Sequence, residues 1–176
     1  MTEGQSKRRL ILYRHAKSAW QNGVEDHDRP LAERGRRDAP RMGRHLREEG
    51  LVPDLALVSS ALRTQESWEL TRPALGHGVP TKILPEIYEA RPEALLDTIR
   101  QTPAEVMTLL VLGHNPGLEE LARLVMADDG GEAGRRLRAK FPTAAVAVLD
   151  FEAEDWREIG PKRAALARFV TPKSLG

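Results

Sequence analysis

The chain alternates between short runs that are apolar at nearly every position and longer stretches in which apolar residues recur three and four apart. Leu10-Ile11-Leu12-Tyr13 has no polar face, which predicts a strand over about Arg9 to Arg14 in a sheet covered on both sides. Leu55 to Ser59 and Thr81 to Leu84 predict two further strands, and Met107 to Leu112 the strongest of all. Ala144 to Phe151 and Ala165 to Val170 read as late strands, joined by an acidic turn and a brief extension over Trp156 to Ile159.

Between the strands the period lengthens. Ala39, Met42 and Leu46 fall at i, i+3 and i+7, predicting a helix over Glu33 to Glu49 that Gly50 stops. Pro40 is costly inside a helix, so either the regular part begins near Asp38 or Pro40 lies in the first turn. Ser60 is placed to cap a helix from Ala61 to about Leu70, and Pro92 to Arg100 turns Leu95, Leu96 and Ile99 inward. Asn115 as cap and Pro116 at the first position open a helix striped by Leu118, Leu121, Ala122 and Val125. Asp128 to Gly134 reads as a loop before a short basic helix reaching Lys140, Gln21 to Pro30 as a polar loop near His15, and Pro73 to Pro80 as a Gly/Pro loop. Met1 to Lys7 is polar and expected to fray. This alternation predicts an α/β three-layer sandwich: a mostly parallel central sheet, helices on both faces and an antiparallel C-terminal edge. One domain over residues 1–176 is the economical reading, at about 150 residues per domain.

Composition narrows the classes. With 40% apolar residues, 30% charged residues and a formal charge of +1, the chain reads neither as a disordered tail nor as a dedicated nucleic-acid binder. It contains no cysteine, which excludes a disulfide scaffold, a Cys-ligated zinc site and a thiol nucleophile together. No apolar run approaches the roughly eighteen residues of a membrane span, and the run after Lys7-Arg8-Arg9 is too short for a secretory segment. A cytoplasmic protein without membrane or nucleic-acid partners is expected.

Candidate chemistry collects at strand ends. Arg14-His15 follows the first strand, Arg63 lies just past the second, and Gly113-His114-Asn115-Pro116-Gly117 follows the fourth. Ligands of open parallel sheets bind beyond the carboxyl ends of the strands. If these strands are neighbours, two guanidinium groups and two imidazoles converge on one crevice. Charge-assisted hydrogen bonds of roughly 1.5–3 kcal/mol each then suit a phosphoryl group without a metal. Five histidines with no HxxxH spacing, beside two arginines, point to no metal and no cofactor. His27, His45 and His77 sit in polar or Gly-rich contexts and read as surface residues. The run Arg34, Arg36, Arg37, Arg41, Arg44, Arg47 is either a solvated helix face or a dock for an acidic partner.

Leu12-Tyr13-Arg14-His15-Ala16-Lys17-Ser18, Ser59-Ser60-Ala61-Leu62-Arg63-Thr64 and Gly113-His114-Asn115-Pro116-Gly117, with Arg29-Pro30-Leu31 and Phe169-Val170-Thr171-Pro172, resemble the histidine phosphatase (phosphoglycerate mutase-like) superfamily. The likeness is to its small, lidless SixA-type phosphohistidine phosphatase branch. The resemblance implies a phosphohistidine intermediate on His15, with Arg14, Arg63 and His114 on the equatorial oxygens and Glu86 as general acid. Ser18 and Lys17 either touch the phosphate or line the rim. The implied substrate is a phosphohistidine-bearing protein. The alternatives are small phosphorylated metabolites, pyrophosphates among them, or a phosphate-binding module without turnover. Ala16-Lys17 and Gln21 depart from the mutase pattern, and only 27 residues separate Glu86 from His114, too few for a lid insertion.

Overall fold

The computed structural model describes residues 6–76 and 78–176. The expected surface position of His77 and most of the expected fraying of Met1 to Lys7 lie outside the described residues. Lys7 itself already belongs to a strand.

The strands are β1 (Lys7–Arg14), β2 (Leu55–Ser59), β3 (Thr81–Leu84), β4 (Thr108–Gly113), β5 (Val146–Glu152) and β6 (Ala164–Val170). They form one sheet in the order β3-β2-β4-β1-β5-β6. β3, β2, β4 and β1 run parallel, whereas β5 is antiparallel to β1 and β6 antiparallel to β5. Because strand side chains alternate faces, neighbouring β1 residues serve two cores. Leu10 and Leu12 pack with α3 (Pro92–Arg100), α4 (Gly117–Val125) and α5 (Gly131–Ala139); Ile11 and Tyr13 pack with α1 (Glu33–Glu48) and α2 (Leu62–Thr71). The three layers, the parallel centre and the antiparallel edge are those the pattern predicts. Between β3 and β4 lie only a 3-10 turn at Pro85–Ile87 and α3, so no lid is inserted there.

Several local expectations are corrected. α1 runs unbroken with Pro40 inside it. The lost hydrogen bond and ring clash cost about 3 kcal/mol, which burial of Ala39, Met42 and Leu46 offsets. α2 begins at Leu62 without a Ser60 cap; Ser59 Oγ accepts from the Ala61 amide at 3.3 Å instead. α4 begins at Gly117, with Pro116 at the cap position after a cis peptide bond and Asn115 Oδ1 accepting from the Glu119 amide. α5 already starts at Gly131, inside the predicted loop. The predicted extension at Trp156 is a 3-10 turn; Trp156 is fully buried and its indole N–H donates to the Val106 carbonyl.

Candidate active site

Register builds the site. β1 and β4 pair with Arg14 opposite Gly113, so the residues that leave the sheet next, His15 and His114, emerge side by side. Their ring centroids are 5.3 Å apart, and the His15 amide donates to the Gly113 carbonyl. β2 lies on the other side of β4, with Val58 opposite Leu112. This brings Ser59 under His114, whose Nε2 is 2.7 Å from Ser59 Oγ. α2 then starts within three residues and carries Arg63 in its first turn. Arg14, His15, Arg63 and His114 therefore meet at the carboxyl ends of three adjacent parallel strands.

His15 is 6% exposed, and its Nδ1 lies 2.8 Å from the Ala16 carbonyl oxygen. A carbonyl only accepts, so Nδ1 carries the proton and Nε2 holds the free lone pair. Burial pushes His15 down to about 3, assisted by the positive charge of the neighbouring Arg14 and Arg63. His114 is likewise pushed down to about 3, first by burial and then by Arg63. Both imidazoles are neutral at physiological pH. The site's positive charge belongs to the two arginines, and burial together with Arg63 lowers even Arg14.

Among the described residues, the buried side-chain nitrogens without a hydrogen-bond partner include Arg14 Nε, Arg63 Nε and His114 Nδ1. Buried polar groups are ordinarily paired, so these three nitrogens, on side chains of one site, are open to an acceptor. The rest of each side chain is anchored. Arg14 Nη1 donates to the Phe141 carbonyl, and Arg63 donates through Nη1 to the Asp26 carbonyl and through Nη2 to the Asp26 carboxylate.

Sequence reasoning missed the roles of Asp26 and Tyr88, although it placed the loop before α1 beside His15, and that loop supplies Asp26 to Arg63. Asp26 lies on a 3-10 turn (Asp26–Asp28) in the stretch predicted as plain loop. Its carboxylate accepts from Tyr88, Arg29 and Arg63, with Tyr88 the largest of the influences that hold it well below the usual carboxylate range. The same contact and burial push Tyr88 up to about 12. Tyr88 meets His114 edge-on, with ring centroids 5.5 Å apart. His27, expected on the surface, is half-buried: Nε2 shares a hydrogen bond with Ser60 Oγ and its ring meets Tyr88 edge-on. His45 is also partly buried, with Nε2 enclosed.

Glu86 is not brought into the cluster. It is exposed and lines a separate cavity with Lys82, Thr98 and Gln101, while Tyr88 is what the turn after β3 delivers to the site. Ser18 is buried, and its Oγ accepts from Arg29, which ties it to the loop before α1. Lys17 is exposed. Arg29 also stacks over Trp20, its guanidinium carbon 3.5 Å from the ring centroid. No cluster of three His, Cys, Asp or Glu suited to a metal occurs among the described residues.

Comparison with known proteins agrees with this geometry. The model of the histidine phosphatase superfamily (branch 1) matches residues 10–106, which span Arg14, His15 and Arg63 and end before His114. The uncharacterized protein Rv1276c of Mycobacterium tuberculosis is 38% identical over 162 residues, covering 91% of this chain and 99% of that protein. Among solved structures, a candidate phosphohistidine phosphatase SixA from Nakamurella multipartitia superposes with a TM-score of 0.83 at 29% identity, covering 97% of this chain and 99% of its own. The protein histidine phosphatase SixA solved in complex with tungstate shares the fold, with a TM-score of 0.78 at 20% identity over 96% of this chain and 99% of its own. Two neutral imidazoles between two guanidinium groups at the ends of parallel strands define a phosphoryl-handling enzyme. The chain belongs to the histidine phosphatase superfamily, and it shares its fold with SixA-type proteins.

Proposed function

We propose that the protein is a cofactor-independent phosphatase that removes phosphate from protein phosphohistidine through a phosphohistidine intermediate on His15. The observation that carries this reading is the pairing of a lone-pair-bearing His15 Nε2 with three unmet nitrogens on Arg14, Arg63 and His114. In the first step Nε2 attacks phosphorus in line. The new P–Nε2 bond forms as the substrate's P–N bond breaks, and the substrate ring, already protonated on its other nitrogen, takes the bond electrons and leaves as neutral imidazole. In the second step water attacks phosphorus, the P–Nε2 bond breaks, inorganic phosphate departs and His15 returns with its lone pair. Arg14, Arg63 and His114 bind the equatorial oxygens, where charge spreads in the transition state. Asp26 is held ionised by its three partners and has no proton to give. Imidazole needs less protonation to leave than an alkoxide, so the mechanism does not rest on Glu86. The open crevice, with no insertion between β3 and β4 beyond α3, admits a side chain that projects from a protein.

Incubation with phosphoramidate or a phosphohistidine protein is expected to label the chain with acid-labile, alkali-stable phosphate. His15→Ala is expected to abolish the label and turnover together. Absence of any label from the wild-type chain in rapid-quench experiments, with turnover intact, overturns the covalent route. Turnover of small phosphate esters with none of phosphohistidine protein overturns the substrate assignment.

A further inference from the structure

Beside the crevice lies a second concavity of about 960 Å³ that the proposed chemistry does not use. α1 supplies Arg34 and Arg41 to it, α5 supplies Arg136, the following loop supplies Lys140 and the C-terminal turn supplies Lys173. Asp38 is the one acidic side chain on its lining, and it is engaged by Arg41 at 3.1 Å. Phe169 forms part of the wall, 5.5 Å beneath the Arg136 guanidinium. Arg34, Lys140 and Lys173 are exposed, and neither lysine forms an ion pair among the described residues. A concave surface with five cations against the paired Asp38 carboxylate and Gly176, the last residue of the chain, keeps a positive excess suited to an anion larger than phosphate.

The concavity and the crevice share a wall. The Phe141 carbonyl accepts from Arg14 Nη1 and from Asn115 Nδ2, whereas the next two residues, Pro142 and Thr143, line the concavity. The Ala144 amide then turns back to the carbonyls of Arg14 and His15. The loop over residues 141–144 thus borders the crevice on one side and the basic groove on the other. The chain as a whole carries a net charge of only +1, so the concentration of cations here is local.

We infer that the groove receives an acidic segment of the phosphoprotein whose phosphohistidine occupies the crevice; this rests on the reading of the crevice given above. The groove acts by holding and steering the substrate chain, not by touching the reacting atoms. Its contribution belongs in KM and weakens with salt, because the screening length falls to about 8 Å at physiological ionic strength.

The test compares two synthetic phosphohistidine peptides, one flanked by glutamates and one by serines, with phosphoramidate as a small donor. The wild-type chain is expected to favour the glutamate peptide at least tenfold in kcat/KM at low salt, through KM. The triple variant Arg34→Glu, Lys140→Glu, Lys173→Glu is expected to lose that preference while turning over phosphoramidate as before. No preference, a preference the variant keeps, or an equal loss on phosphoramidate overturns the inference. Binding of fluorescently labelled polyglutamate, read by anisotropy, examines the groove without turnover. Loss of binding in the folded triple variant supports it, and equal or absent binding in both proteins overturns it. Displacement of polyglutamate by tripolyphosphate at far lower concentration assigns the groove to a small polyanion and also overturns it. Should phosphoramidate turn over while neither peptide does, the substrate assignment fails, and the anisotropy result still decides the groove.

Discussion

His15 shows how one residue's chemistry is set by its immediate neighbours. The Ala16 carbonyl fixes its tautomer, burial keeps it neutral, and the two arginines reinforce that neutrality. The pH dependence follows with a definite sign. Free histidine titrates near 6.5, whereas His15 and His114 in the fold are pushed down to about 3, so below about pH 6.5 the unfolded chain takes up protons that the folded chain refuses. Stability without ligand is therefore complete above pH 6.5 and falls as pH is lowered toward 3. At pH 5 each histidine accounts for about 2 kcal/mol of that loss. Urea unfolding from pH 7.5 to 4.5 is expected to show this decline, with a shallower slope in His15→Gln. Phosphoenzyme formation is expected to show no acid limb near 6.5 arising from the nucleophile. Arg63 supports transition-state charge in the same crevice, so Arg63→Ala is expected to lower kcat/KM about 10²–10³-fold, the scale of losing one such donor. Steady-state kinetics with phosphoramidate measure it. The identities of His15, Arg14, Arg63 and His114 were legible as residues after strands. Asp26 and Tyr88 were not, because each lies in a turn whose sequence has no period and each acquires its role from a partner far along the chain.

At the scale of elements, the strands were the legible part. β2 and β3 keep their predicted bounds and α3 its predicted span, since each reflects a local period against clear breaks. Helix starts were less legible, because a cap depends on where neighbouring chain lies: α2 starts after Ala61 with no side-chain cap, and Asn115 is shared between α4 and the Phe141 carbonyl. Close packing of α1 also escapes the hydrophobic pattern. A Cβ on Gly35 would collide with the Lys17 carbonyl, and one on Gly43 would lie 2.5 Å from the Thr71 carbonyl. Gly35 thus lets α1 approach the backbone just after His15. Gly35→Ala is expected to cost about 1–3 kcal/mol, the usual range for overpacking, and to lower kcat as the loop after His15 is displaced. Denaturant melts paired with phosphoramidate kinetics check both effects. Gly50→Ala, whose added methyl meets nothing within 4 Å, separates backbone strain at positive φ from this contact: it is expected to lose stability with kcat retained.

For the whole molecule, the proposed function makes an oxyanion the ligand of the crevice. A ligand that binds only the folded state stabilises it by about 2.7 kcal/mol at a concentration one hundred times its dissociation constant. Tungstate is expected to raise Tm in a saturable way, to do so far less in Arg14→Ala, and to offset the low-pH loss of stability while the anion stays bound. Differential scanning fluorimetry across tungstate concentration and pH reads both. The same scale separates crevice from groove. The Arg-rich run of α1 was visible as a choice between solvated face and acidic dock, but only the fold, which brings α1, the end of α5 and the C-terminal turn to one concavity, gathers Arg34 and Arg41 with Lys140 and Lys173.

The sequence by itself determined the strands and helices, their alternation, and the residue types stationed at strand ends, because hydrophobic period and backbone preference act over a few residues. The tertiary structure alone decided strand order, the pairing that sets His15 beside His114, the grip of Asp26 on Arg63, and the position of Glu86 at a separate cavity. Those depend on contacts between distant segments. Burial, which silences the charge of two histidines and leaves three nitrogens wanting an acceptor, exists only once the layers have closed.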